Sequence, residues 1–222
     1  MDKLLREYTA SVTHALRAPL VALKGYAEIL LESHAAGLSP RGRDLLTGLH
    51  QNAVLMAKLL SGLHAYAQLG EEHGGRTRVE LGAVLQGLLE GRRDEIRARG
   101  ARVEIAPDLP PVEGHPTQLQ TLLDALLDNT LKHHPGPDGP RVRLGLSRAE
   151  PPVFFLEDDG PGVPEELRER VFELFVRGPT RLPGAGLGLS LARRVVELHQ
   201  GRIWLEHGEL GGARVCFELG IE

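Results

Sequence analysis

Apolar positions in the first third of the chain recur with helical spacing. Leu5, Tyr8, Val12, Leu16, Leu23, Tyr26 and Leu30 step by three or four, and Pro19 occupies the slot the series skips. Leu46, Leu49, Ala53, Met56, Leu60, Leu63 and Ala67 alternate three and four without a break. Each series puts apolar side chains on one stripe of an α-helix, the a/d pattern that packs helix on helix. Between them, HAAGLSPRG (34–42) supplies a turn. Ser39 is placed to cap the second helix, and Pro40 falls at its first position, where no N–H is needed. Residues 3 to about 69 therefore predict a helical hairpin. Two helices bury too little by themselves, and Leu45, Leu59 and Tyr66 add apolar surface beside the seam. A second copy of the hairpin would close a four-helix bundle as a symmetric dimer.

The pattern changes at LGEEHGGRTR (69–78), where glycines and charges replace the seam. Beyond it, LGAVLQGLLEGRRDEIRARG (81–100) reads as one amphipathic helix and ARVEIA as a strand, followed by the helix PTQLQTLLDALLDNTLKHH. PRVRLGLS and PVFFLED read as strands, LGLSLARRVVELHQG as a third helix, and RIWLEH with ARVCFEL as a closing strand pair. This mixture predicts an α+β sandwich, one sheet covered by helices. The expected organisation is a helical domain over 1–69, a linker over 70–78 and an α+β domain over 79–222.

Composition narrows the function. A net charge of −4 provides no basic field for nucleic acid or an anionic membrane surface. No apolar run is long enough to span a bilayer, and the start of the chain lacks a signal-peptide core. The single cysteine, Cys216, can form no internal disulfide, which fits a reducing, cytoplasmic setting.

Three stretches carry candidate chemistry. DDGPG (158–162) ends an apolar strand, and GAGLG (184–188) opens a helix. Glycines allow a ligand close to the backbone, and a helix N-terminus offers free N–H groups to phosphate. Neither stretch fits the P-loop or dinucleotide fingerprints. In LLDNTLKHH (126–134), Asn129 and Lys132 lie three apart on one helix face, offering an amide oxygen to a hard cation and an ammonium to phosphate.

Taken in order, these stretches resemble the catalytic core of the two-component sensor histidine kinases. THALRAPL resembles the phospho-acceptor box and LLDNTLKHH the asparagine box. DDGPGVP resembles the first glycine box, VFELF the phenylalanine box, and GAGLGLSLARRVVELHQGRIWLE the second glycine box. The resemblance covers nearly the whole chain. It implies a dimerising, histidine-bearing four-helix bundle followed by an ATP-binding α/β sandwich of the gyrase type.

Carried onto this sequence, the resemblance implies that Asn129 ligates Mg²⁺, that Lys132 contacts phosphate, and that His133 adjoins the ATP site. Asp158 would accept a hydrogen bond from the adenine amino group, and Gly160 and Gly162 would line the pocket floor. Phe172 and Phe175 would lie beneath a lid running from about 174 to 187, which Gly184, Gly186, Leu187 and Gly188 would let close over the phosphates. The implied partners are a second copy of the chain and the receiver domain of a response regulator. A sensor region would be supplied separately or lie outside this sequence.

His14 lies about 200° around the helix from both Val12 and Leu16, so it is expected to face solvent. A neutral imidazole nitrogen is a nucleophile at physiological pH, and Pro19 removes the N–H that would bond the Ala15 carbonyl. The chain departs from the family beside it. Ala15 stands where an acid usually follows the histidine, Ala18 where Thr or Asn is usual, and Ala125 where hydrolytic relatives carry glutamate. Simple ATP hydrolysis is therefore disfavoured. Two readings stay open: a kinase that phosphorylates His14 and donates to a regulator aspartate, and a weakened, ATP-binding dimeric module that docks or gates a regulator.

Overall fold

Two long helices come first, α1 (Lys3–Ser33) and α2 (Pro40–Gln68). In the computed structural model, residues 3–34, 37–70, 75–134, 138–178 and 185–220 are described, with backbone alone at 3–10 and 133. The chain divides into two units, the first ending at Gln68 and the second beginning at Leu69. Pro19 sits inside α1 without ending it. Ser39 caps α2 as expected: its Oγ accepts the Gly42 N–H at 3.1 Å. Across the hairpin, His50 on α2 meets Glu28 on α1 at 3.1 Å, a hydrogen bond that holds the Glu28 carboxyl below its ordinary range.

The line that turns inward on α1 is not the expected seam. Among the described side chains, the buried positions in the two helices are Thr13, Leu20 and Ala27 on α1 and Ala53 and Ala67 on α2. Leu16, Leu23, Tyr26 and Leu30, read as the seam of α1, are between 42% and 67% exposed, as are Leu49 and Met56 on α2. A stripe stepping by three and four is wide enough to feed two neighbours. On α1 the inward line, Thr13, Leu20 and Ala27, runs beside the expected stripe and leaves that stripe open, whereas on α2 Ala53 and Ala67 of the expected stripe do turn inward.

The second unit contains β1 (Thr77–Val79), α3 (Leu81–Gly91), α4 (Arg93–Arg99), β2 (Arg102–Ile105), β3 (Val112–Gly114), α5 (Pro116–His133), β4 (Arg141–Ala149) and β5 (Pro152–Asp158). Two short 3₁₀ turns follow, then α6 (Gly188–Leu198), β6 (Arg202–His207) and β7 (Ala213–Glu218). The five-stranded sheet has the order β2-β4-β5-β7-β6, with β2 and β4 parallel and the rest antiparallel. Strands β1 and β3 form a separate antiparallel pair.

Three details differ from the sequence reading. The helix expected over 81–100 breaks at Arg92, whose φ of −112° and ψ of 21° leave the helical range. Gly91 weakens the helix there, and the Arg92 guanidinium is drawn to Asp124 on α5 at 2.7 Å. Thr77 and Arg78, assigned to the linker, belong to β1, and β3 was not foreseen. Three residues are too few to display alternation, so these strands are visible only once paired.

Leu81, Leu85, Leu119, Leu122, Leu126, Val195 and Val196 from the helices meet Val142, Leu144, Phe154, Leu156, Val215 and Phe217 from the sheet in one core. β5 is buried along nearly its full length because its second face is also covered. There Phe155 lies over Gly145, where a Cβ would strike its ring, and the Arg214 guanidinium sits 4.2 Å from the ring centroid. On the same face Glu157 accepts hydrogen bonds from Arg143 at 2.6 Å and Arg214 at 2.9 Å. Burial pushes the neighbouring Cys216 thiol up to about 12, so it packs as an apolar group.

Candidate ATP site

The last residue of β5, Asp158, is the best-connected polar group in this region. Its Oδ1 accepts the N–H of Gly160 at 3.0 Å and the N–H of Ala213 at 3.1 Å. Its Oδ2 receives the Thr130 hydroxyl at 3.2 Å. Burial raises the Asp158 pKa above the ordinary carboxylate value, and the hydrogen bonds from Gly160, Ala213 and Thr130 offset only part of that. Among the described residues Oδ1 has two donors and Oδ2 one, so the second oxygen retains capacity for one further donor.

Gly212 allows this arrangement. Its N–H donates to the Asp158 carbonyl at 3.1 Å, and a Cβ on Gly212 would meet Asp158 Oδ1, the Asp158 carbonyl and the Gly160 nitrogen. Any larger residue would push the β7 entry away from the carboxylate. Thr130 and Gly212 were not among the residues singled out from sequence. Thr130 was signalled only by its place directly after Asn129, and Gly212 by its place in a Gly-Gly turn before a strand.

The Thr130 hydrogen bond also locates the polar turn of α5. Asn129 precedes Thr130, and Lys132 follows by two, so both lie within one helical turn of the Asp158 contact. Asn129 is half-buried, and its amide makes no hydrogen bond among the described residues. Lys132 is half-buried and ion-paired with Asp128. His133 ends α5 and is described by its backbone alone. The adjoining Asp159 ties the end of α5 to β4, facing His134 Nε2 at 3.4 Å and accepting the Arg141 N–H at 2.8 Å.

The remaining candidates lie downstream. Gly160 and Gly162 follow Asp158, with Gly162 at φ +71°, a conformation open to glycine. Phe172 is buried in the core, whereas Phe175 is 51% exposed with a left-handed φ of +66°. Phe175 N–H donates to the Gly186 carbonyl at 2.9 Å, and Gly186, at φ +65°, has no room for a Cβ against Phe175 and Val176. These contacts join the two ends of the expected lid. Gly184 and the middle of that lid, 179–184, lie outside the described residues. Leu187 is buried, and Gly188 starts α6 close to the Ala125 carbonyl. His14, on α1 in the other unit, is exposed.

A mixed sheet backed by helices, with a buried aspartate facing the polar turn of a core helix, matches what two family comparisons find. Residues 4–72 match the His Kinase A (phospho-acceptor) domain, and residues 114–222 match the histidine kinase-, DNA gyrase B-, and HSP90-like ATPase family. The chain belongs to the histidine kinases. A relative from Methanothrix harundinacea, the methanogenesis regulatory histidine kinase FilI, is 30% identical over 97% of this chain and 24% of its own. Among solved structures, full-length ShkA in complex with AMPPNP superposes with a TM-score of 0.67 at 26% identity, over 96% of this chain and 45% of that one. The mycobacterial sensor histidine kinase MprB is 30% identical with a TM-score of 0.55, over 65% of this chain and 96% of that one. The chain spans about a quarter of the length of the first curated relatives it matches. Among the described residues, no helix of this family member is long and apolar enough to cross a membrane.

Proposed function

We propose that the chain binds ATP between α5 and the end of β5, phosphorylates His14, and donates that phosphoryl group to an aspartate on a response-regulator receiver domain. The observation that carries this reading is the Thr130–Asp158 hydrogen bond. It sets a buried carboxylate with spare acceptor capacity beside the turn bearing Asn129 and Lys132. Asp158 would take the adenine amino group and Lys132 a phosphate oxygen, with Gly160 and Gly162 along the floor. The neutral amide oxygen of Asn129, without a hydrogen bond among the described residues, suits a hard cation, and Mg²⁺ held there would neutralise polyphosphate charge. Gly184, Gly186, Leu187 and Gly188 would form the lid over the phosphates. The work requires ATP, which places it in the cytoplasm.

In the transfer, an imidazole nitrogen of His14 attacks the γ-phosphorus, an N–P bond forms, and the bond to the bridging oxygen breaks to release ADP. The proton on the other ring nitrogen must then leave. Ala15 cannot accept it, but exposure of His14 lets water do so. Alignment and charge neutralisation do most of the work in such a step. The hairpin over 1–69 would dimerise through its open stripe, with 79–222 as the catalytic domain.

Ala15 favours a second reading, an ATP-binding dimer that docks or gates a regulator with little kinase chemistry. Incubation with γ-labelled ATP and Mg²⁺, followed by acid treatment, separates the two. The kinase reading expects acid-labile label that His14→Gln abolishes while nucleotide affinity stays unchanged. Label that persists in His14→Gln refutes His14 as acceptor. A wild type that never labels beside an Ala15→Glu variant that does establishes the second reading, since general-base assistance contributes about 10²–10⁴-fold in rate.

A further inference from the structure

Lys132 does not stand alone on α5. Its ammonium pairs with Asp128, one turn back, and Asp128 is also 3.7 Å from one terminal nitrogen of Arg92. The other terminal nitrogen of Arg92 donates to Asp124 at 2.7 Å. Arg92 reaches this face from the corner where α3 gives way to α4, the break absent from the sequence reading. One guanidinium therefore lies against two aspartates of the helix that carries Asn129 and Lys132. None of the pocket roles assigned above involves Arg92, Asp124 or Asp128.

We propose that Asp128 is a positioning residue for Lys132, and that Arg92 governs how readily Asp128 releases it. The inference rests on the ATP-site reading. Without nucleotide, Asp128 is shared between an ammonium and a guanidinium. A polyphosphate draws Lys132 away, and Arg92 stays behind to neutralise the carboxylate that Lys132 has left. Arg92 does not follow, because Asp124 anchors it through a charge-assisted hydrogen bond. Nucleotide affinity is thus set against the Asp128–Lys132 contact. The transfer step comes after Lys132 has moved and is indifferent to it.

The test uses the full 222-residue chain, titrated with Mg²⁺ and a non-hydrolysable ATP analogue, alongside KM and kcat for labelling from γ-labelled ATP. Asp128→Asn releases Lys132 and removes a negative charge near the phosphates, so Kd and KM should fall about three- to ten-fold with kcat unchanged. Arg92→Gln should raise both, Arg92→Lys should restore most of the loss, and Arg92→Gln should lose most of its effect in the Asp128→Asn background. Added salt should shrink every one of these differences. A purely structural role for Arg92 or Asp128 would shift the melting temperature and leave the KM-against-kcat split absent. Unchanged or weaker binding by Asp128→Asn overturns the inference, as does an Arg92→Gln effect of the same size with and without Asp128. A wild type that takes up no nucleotide overturns the ATP-site reading and this inference together, and the first titration reveals it before any variant is made.

Discussion

Replacing Asp158 by asparagine isolates the adenine end of the proposed pocket, because the surrounding hydrogen bonds dictate which way the new amide must lie. Two backbone N–H groups, from Gly160 and Ala213, point at Oδ1. The amide oxygen has to stay there, since an NH₂ group would meet two donors. The NH₂ then occupies the Oδ2 position, where the Thr130 hydroxyl can turn and accept from it instead of donating. The side chain at 158 keeps all its partners, the Thr130 hydroxyl proton gives up its acceptor, and the removal of a buried charge offsets that loss. Stability at neutral pH should therefore hold or rise slightly. The ligand fares differently, because the adenine amino donor would meet another donor where it had a charged acceptor. Loss of a hydrogen bond to a charged group is worth about 1.5–3 kcal/mol, which is roughly 10- to 150-fold in Kd. Calorimetric titration with Mg²⁺ and a non-hydrolysable ATP analogue measures the affinity, and a thermal melt on the same samples measures the fold. An unchanged Kd would remove Asp158 from the pocket. A large drop in melting temperature would show that the ring of hydrogen bonds depends on the charge, and the argument from amide orientation would be wrong.

Other consequences follow from the same geometry. The raised Asp158 pKa means that the native state holds that proton more tightly than the unfolded chain, so its contribution to stability declines as pH rises through the window up to the raised value. Nucleotide affinity should run the opposite way, weakening as pH falls through that raised value and hence at a higher pH than an ordinary carboxylate would give; a pH series of titrations that is flat in the wild type would refute this. Gly212→Ala would drive a methyl into the Asp158 carboxylate and the Gly160 nitrogen. It should destabilise the domain by about 1–3 kcal/mol in urea unfolding and weaken nucleotide binding as well. The open stripe of the hairpin should be a dimer interface: light scattering should give a dimer for the wild type and a monomer for Leu23→Glu with Met56→Glu. Both residues are about half exposed in the single chain, so far-UV circular dichroism should show the helices retained; a monomeric wild type would end the four-helix-bundle reading.

What could be read from the sequence is what repeats or sits close along the chain. The three-and-four spacing of apolar residues was enough to predict α1 and α2, because helical period is a property of one segment. The Ser39 cap was legible for the same reason, since its partner is only three residues away. Asn129 and Lys132 share a helix face by arithmetic alone, and the motifs kept their order along the chain whatever the fold did with them. Tertiary structure decided everything that joins distant segments. Strands β1 and β3 exist as strands only against each other. The stripe on α1 could be seen as apolar, but not that the neighbouring line of Thr13, Leu20 and Ala27 turns inward instead, because that choice depends on the facing helix. Arg92 breaks a helix that periodicity would continue, and it does so beside a carboxylate 32 residues away. Thr130 and Ala213 converge on Asp158 from 28 and 55 residues away, and Gly212 matters only because that convergence leaves no space for a Cβ. Propensity and period are local, whereas a buried carboxylate must find its donors wherever the fold brings them.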